Sequence, residues 1–324
     1  MARLTLGDHV VDAQPGETVL TALLRAGATV PSSCRAGACQ SCLLRATAGV
    51  PNPIGQQGLK DSLRERGYFL SCITPADCDL GLSTTDSDGL QVRAELRESV
   101  LLSDSVLRLR LVPERDLPYR AGQFINIQRD DGLTRSYSLA SVPSQDSFLE
   151  LHVRLYPHGR MSGWLRTLSP GDVLSLRGPA GECFYVAGRP EQPLLLIGSG
   201  TGLAPLWGIL RDALGQGHKG PIVLLHASRI AQGLYYQDEL HALAQAQPQV
   251  RYQAFALEPS AQQPPTVQVA SLTDVLLQQY PKLAGFRVFL CGDPQLVQTL
   301  RRLVFLAGAS RRDILADAFL PASA

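Results

Sequence analysis

The sequence lacks an excess of charge of either sign. Its 324 residues carry 30 basic and 29 acidic side chains. These are spread evenly: residues 1–90 hold 7 basic and 9 acidic groups, 91–187 hold 12 and 11, and 188–324 hold 11 and 9. With no basic face to neutralise phosphates, neither nucleic acid nor an anionic membrane is expected as a partner. Long apolar runs are missing as well. The longest, such as Leu194-Leu195-Leu196-Ile197, fall far short of the roughly 20 residues that cross a bilayer. No targeting segment is expected, because Met1 leads almost directly into strand-like sequence. There is no internal repeat. What is present is ordinary globular material, 45% hydrophobic and 18% charged, at a length that points to about two or three domains.

A second C-x2-C pair is also absent, and this shapes the reading of the seven cysteines. Cys34, Cys39, Cys42 and Cys72 fall as C-x4-C-x2-C, then 29 residues, then C. That spacing resembles a plant-type [2Fe–2S] ferredoxin, in which four thiolates hold two irons. Three ligands come from one tight loop, and the fourth from a distant segment that closes over it. The loop Ser32-Ser33-Cys34-Arg35-Ala36-Gly37-Ala38-Cys39-Gln40-Ser41-Cys42 is built of small residues. They let backbone N–H groups turn toward the sulfurs and tune the cluster, and Gly37 can adopt a backbone angle closed to other residues. Zinc is the rival, but its ligands usually come as two C-x2-C pairs. A disulfide set is disfavoured without a secretory signal. An intact cluster in such a chain implies the cytoplasm. Of the remaining cysteines, Cys78 and Cys183 are expected to be small buried hydrophobes, and Cys291 belongs to a later motif.

The first 85 or so residues read as strand, strand, helix, cluster loop and mixed structure. Leu4 and Leu6 alternate with polar neighbours, and Val10-Val11 opens a second strand. Pro15-Gly16-Glu17-Thr18 makes a turn and a helix start, followed by the stripe Leu20, Leu23, Leu24, which Gly27 ends. The polar stretch 82–89 is expected as a linker. From 91 to 187, short alternating strands at 106–112, 124–127 and 148–153 are separated by turn residues, the pattern of an antiparallel barrel. In the last third the period changes. Continuous apolar strands at 194–197, 222–225 and 288–290 alternate with helical stretches at 206–214 and 296–306, which predicts a doubly wound parallel sheet.

Two short elements in the barrel segment suit a flavin. Arg135-Ser136-Tyr137-Ser138 on a strand offers a cation for phosphate, a flat ring and a hydroxyl. Gly159-Arg160-Met161-Ser162 starts a helix whose free N–H groups can meet a pyrophosphate. Each alone is ordinary sequence. His152 and Arg154 point to the opposite side of their strand from Val153, and the simplest reading of His152 is a strand histidine. In the last third, Gly198-Ser199-Gly200-Thr201-Gly202-Leu203-Ala204-Pro205 joins a buried strand to a helix, where a pyrophosphate can rest on the helix N-terminus. Cys291-Gly292-Asp293-Pro294 ends a later strand at the same carboxyl edge.

Together these four motifs resemble the ferredoxin–NADP reductase superfamily. With the cysteine motif in front, the whole chain resembles the reductase components of bacterial multicomponent oxygenases, of the benzoate and naphthalene dioxygenase and methane monooxygenase types. Asp317-Ala318-Phe319 is similar to the naphthalene type. The resemblance implies an α+β and α/β multidomain chain: a β-grasp ferredoxin domain at 1–88, an FAD-binding antiparallel β-barrel at 91–187 and an NAD(P)H-binding domain at 188–324. It implies that Arg135, Ser136, Tyr137 and Ser138, the 152–154 strand, and Gly159, Met161 and Ser162 hold FAD. Gly198, Ser199, Gly200, Thr201, Gly202 and Pro205 would bind NAD(P)H. Ser228 and Arg229 would face the nucleotide ribose, with Cys291, Gly292, Asp293 and Pro294 near the nicotinamide. Cys291 and Ser138 would stand at the reacting atoms, and Phe319 would cover the flavin. Ser199 departs from the glycine expected there.

The implied function is electron transfer from NADH through FAD and the [2Fe–2S] cluster to an oxygenase component or an intermediary ferredoxin, by a monomer. NADH is favoured over NADPH by the resemblance, although Arg229 suits a 2′-phosphate. Service to a deoxysugar dehydratase, or a redox-sensing module without sustained turnover, are the alternatives. Nothing in the sequence names the organic substrate.

Overall fold

The computed structural model describes residues 2–84 and 90–320. The first unit is a mixed sheet of β1 (Arg3–Leu6), β2 (His9–Asp12), β3 (Leu43–Ala48), β4 (Tyr68–Leu70) and β5 (Leu80–Ser83), in the order β2-β1-β5-β3-β4. Its helix α1 (Val19–Arg25) starts where the Thr18 hydroxyl accepts the Thr21 N–H, and it buries Val19, Leu20, Ala22 and Leu23. Gly27, at φ +80°, ends it. A single-turn α2 (Asp61–Arg64) precedes β4. Leu82 and Ser83, expected in a linker, extend β5 instead. The remainder of that expectation at 85–89 lies outside the described residues.

The second unit contains β6 (Gln91–Ser103), β7 (Val106–Pro113), β8 (Phe124–Gln128), β9 (Thr134–Ser138), β10 (Leu149–Arg154), α3 (Arg160–Thr167) and β11 (Val173–Ala180). The strands pair antiparallel in the order β10-β7-β6-β11-β8-β9, and a bridge between Leu139 and Leu151 closes the ring. Alternation along β7 and β8 puts Leu107, Leu109, Leu111, Ile125 and Ile127 inside.

The third unit contains β12 (Leu194–Ser199), α4 (Leu203–Gly215), β13 (Ile222–Ser228), α5 (Gln237–Ala246), β14 (Val250–Ala256), β15 (Val267–Val269), α6 (Leu272–Gln279), β16 (Arg287–Gly292), α7 (Pro294–Leu306) and β17 (Ile314–Ala318). All pairs are parallel, in the order β15-β14-β13-β12-β16-β17. The chain winds outward from β12 on one side and returns to its other side as β16. The crevice above β12 and β16 is therefore the point at which such sheets bind ligands. Among the described residues no helix is long and apolar enough to cross a membrane.

Candidate functional site

The cysteine loop between α1 and β3 holds its sulfurs as two pairs. Cys34 lies beside Cys39, and Cys42 beside Cys72, close enough that each pair shares a hydrogen bond. That bond pulls Cys39 down to about 5 and also lowers Cys72, while Cys34 and Cys42 are pushed up by the same contacts. The Ala36 and Cys39 N–H groups each donate to Cys34 Sγ at 3.4 Å, and the Gly37 N–H donates to Cys72. Reaching inward in this way requires left-handed backbone at Arg35, Gly37 and Gln40. At Gly37 a Cβ would also lie 2.9 Å from Ile73.

That loop forms one wall of a cavity of about 450 Å³. Ser33, Cys34, Ala38 and Cys39 line it on one side; Arg135 to Ser138 from β9, His152 and Arg154 from β10, and Gly159 to Ser162 from α3 line it on another. Thr201 from the turn before α4, Ala204 from its first turn, and Asp317 to Leu320 from the end of β17 and beyond complete it. Cluster loop, barrel and parallel sheet thus meet at a single space. Among the described residues Arg135 and Arg154 make no ion pair. Arg135 bonds only the Thr134 carbonyl, at 2.7 Å, and Arg154 lies over the Tyr156 ring. No side chain caps the N-terminus of α3. Two cations and a free helix start therefore face the cavity.

His152 is fully buried. Its Nε2–H donates to Glu150 at 3.1 Å and its Nδ1 accepts from the Tyr235 hydroxyl at 3.0 Å, so both ring nitrogens are engaged by protein. Burial lowers its pKa and keeps it neutral. Burial alone would raise Glu150, but hydrogen bonds from His152, Arg110 and Tyr236 outweigh it and hold the carboxyl at about 2.

Several expected residues flank the cavity without lining it. Val153 points into the barrel core. Gly198, Ser199, Gly200, Gly202, Pro205 and Cys291 to Pro294 occupy the crest above β12 and β16. Gly202 is required there, since a Cβ would lie 2.2 Å from the Cys291 carbonyl. Ser199 accepts the Asp293 N–H through its hydroxyl at 3.0 Å, which tethers the two halves of the crest. Cys291 is buried and its thiol pushed up by that burial, with the Cys183 sulfur at 3.7 Å. Cys78, expected as buried, is only half-buried and donates to the Val50 carbonyl at 3.3 Å. Ser228 and exposed Arg229 end β13 away from the cavity, and Arg229 pairs with Glu258 at 3.0 Å.

Sequence reading missed Asp317 as a working residue. β16–β17 register sets it opposite Cys291, and it accepts a 2.8 Å hydrogen bond from Ser138. Burial against the cavity raises its carboxyl to about 6. Asn126 and Arg177 were missed too, and both reach the cluster loop.

Three family models match the chain. A 2Fe-2S iron-sulfur cluster binding domain covers residues 5–77, an oxidoreductase FAD-binding domain 93–185 and an oxidoreductase NAD-binding domain 196–302. The ferredoxin–NAD(P)(+) reductase component of the naphthalene 1,2-dioxygenase/salicylate 5-hydroxylase systems of Ralstonia sp is 31% identical, over 96% of each chain. The reductase subunit of an aromatic O-demethylase from Amycolatopsis sp. is 32% identical, over 99% of each. The chain belongs to the ferredoxin–NAD(P)+ reductases of oxygenase systems. A solved member of similar build, the Amycolatopsis cytochrome P450 reductase GcoB, superposes with a TM-score of 0.72 at 30% identity over 100% of both chains.

The reductase's residues fit the groups this family uses. Two thiol pairs ringed by N–H donors suit a two-iron cluster, and the unpaired arginines with the uncapped helix suit a dinucleotide's phosphates. Cys39→Ser is expected to abolish the reduced-cluster EPR signal while leaving bound FAD at wild-type content. A full signal in that variant would remove Cys39 from the ligand set.

The raised Asp317 carboxyl makes stability depend on pH. The folded FAD-free protein keeps this proton to higher pH than the unfolded chain, so the group's contribution grows more unfavourable as pH rises from about 4 to about 6. Asp317→Asn removes that dependence. Its stability relative to wild type should rise by at most about 3 kcal/mol between roughly pH 4 and pH 7 in urea unfolding. A difference that stays flat with pH counts against the assignment.

Proposed function

We propose that this reductase takes electrons from NADH and delivers them through its cluster to the terminal oxygenase of an aromatic-ring-hydroxylating or related system, directly or by an intermediary ferredoxin. The observation that carries this reading is the shared cavity: Cys34 and Cys39 stand in the same wall-to-wall space as the Arg135–Ser138 strand and Thr201. Bound FAD supplies the exchange between a two-electron hydride and single electrons, and the bound cluster supplies a one-electron exit.

The residues divide the remaining work. Arg135, Arg154 and the first turn of α3 hold the flavin's phosphates. Tyr137, Ser138 and Phe319 line the same cavity, where Tyr137 and Phe319 would pack on the bound flavin and Ser138 would hydrogen-bond to it. Ser138 and Asp317, joined by their hydrogen bond, would hold a proton beside the bound flavin. The crest from Gly198 to Pro205 takes the pyrophosphate of the pyridine nucleotide, and Cys291 with Gly292 shapes the nicotinamide position. Domain boundaries at 1–88, 91–187 and 188–324 follow, in a monomeric cytoplasmic protein.

Glu258 favours NADH. A 2′-phosphate must displace this carboxylate from Arg229, whereas a ribose diol can hydrogen-bond to it. Glu258→Gln should raise kcat/KM for NADPH several-fold, roughly a 1 kcal/mol effect, with little change for NADH. A preference of the wild-type enzyme for NADPH would reverse this assignment.

Cytochrome c and ferricyanide reduction test the main reading in the full-length protein. Cys39→Ser should lose most NADH-driven cytochrome c reduction and keep ferricyanide reduction, since ferricyanide is small enough to reach the flavin directly. Equal loss of both would argue against a cluster exit, and reconstitution with candidate oxygenases identifies the acceptor.

A further inference from the structure

The cluster unit has its own apolar core, drawn from residues 4–82, and the bonds that tie its loop to the barrel are polar. Two barrel side chains provide them. Asn126 on β8 is 2% exposed and Arg177 on β11 is 6% exposed. The Asn126 Nδ2 donates to the Cys39 carbonyl at 2.9 Å. Arg177 donates to the Gln40 carbonyl at 2.9 Å and to the Ser41 carbonyl. Three successive carbonyls of the cluster loop are therefore capped from the barrel, in a segment that left-handed Gln40 turns outward. Buried carbonyls need such partners.

The other end of the Asn126 amide faces the flavin strand. Its Oδ1 accepts from Ser136 at 2.7 Å and from Ser41 at 3.3 Å. Ser41 is fully buried, and its hydroxyl also lies 3.1 Å from Cys39 Sγ. A hydroxyl has one proton, so Asn126 and the Cys39 sulfur compete for it.

We propose that Asn126 and Arg177 are positioning residues that seat the cluster loop against the flavin cavity, and that Asn126 also tunes the cluster by drawing the Ser41 proton away from Cys39. This rests on the reading that current leaves through the cluster. The bonds join the Cys39 backbone to Ser136 through one side chain, so the loop cannot shift without breaking them. Fewer hydrogen bonds on a ligand sulfur leave the reduced cluster less stabilised, and a buried guanidinium acts in the opposite sense.

Asn126→Leu and Arg177→Met in the full-length holoprotein test this, with Asn126→Asp as an equal-sized variant that keeps the acceptor toward Ser136 and exchanges the donor to Cys39 for a carboxyl oxygen. All three should keep wild-type flavin bleaching by NADH and wild-type ferricyanide reduction. Cytochrome c reduction should fall several-fold, because the loop that carries the acceptor loses its fixed distance and orientation to the flavin cavity. Amides 39–42 should exchange with deuterium faster in each. The cluster's midpoint potential should move positive in Asn126→Leu, which frees the Ser41 proton for Cys39, and negative in Arg177→Met, which removes a cation. Wild-type exchange, potential and cytochrome c to ferricyanide ratio in these variants would overturn the proposal. If instead wild-type protein reduces cytochrome c no faster than Cys39→Ser, the exit reading fails, and the exchange and potential measurements still decide the seating.

Discussion

Buried polar groups must find partners, and around the central cavity this protein takes several of those partners from a different unit. The cluster loop's carbonyls meet Asn126 and Arg177 of the barrel. The barrel's Ser138 meets Asp317 of the parallel sheet, and its His152 meets Tyr235. An unmade bond of this kind costs on the order of 1–3 kcal/mol. The three units are thereby fixed in direction as well as held together, which apolar contact alone does not achieve. The two seams differ. Barrel and parallel sheet share an apolar core in which Val106, Cys183 and Tyr185 pack with Leu206 and Phe289, whereas the cluster unit keeps its core to itself.

The barrel and parallel sheet were legible because each writes its burial into a sequence period. One inward face gives the alternation of 106–112, and two buried faces give the continuous run 194–197. The cluster was legible because its ligands are bound to fixed spacing. The seams were not. Asn126 sits on the outward side of an alternating strand, where a polar residue is the expected choice, and it is buried only because another unit covers that side. Asp317 lies 179 residues from Ser138, and strand register, not spacing, sets it beside Cys291. The pull of His152 toward Tyr235 is equally invisible in a strand that reads as routine.

Ser199, standing where the resemblance leads one to expect a glycine, is absorbed by a bond of its own. A glycine there leaves the Asp293 N–H to other partners; serine supplies the acceptor itself. The substitution trades backbone room for a tether between the glycine run and the Cys291 crest. Because Asp293 also caps α7, accepting from the Gln295 and Leu296 N–H groups at 3.0 Å each, the tether passes from β12 through the cap to the helix start.

The cavity's geometry also explains why the three units must be aligned rather than merely linked. In the proposed reading, hydride delivery comes from the side of Thr201 and the crest, and the one-electron exit lies on the side of Cys34 and Cys39. The two ends ask opposite things of the protein. The crest from Gly198 to Pro205 lies at the carboxyl ends of the parallel strands, where ligands of such folds enter and leave, and its Gly202 lets the Cys291 carbonyl approach closely. The cluster has to stay, so its loop is locked by left-handed residues, inward N–H groups and the carbonyl caps from the barrel. Polar bonds from the barrel thus fix the loop that carries Cys34 and Cys39 on one wall of the cavity, with the β9 strand on another.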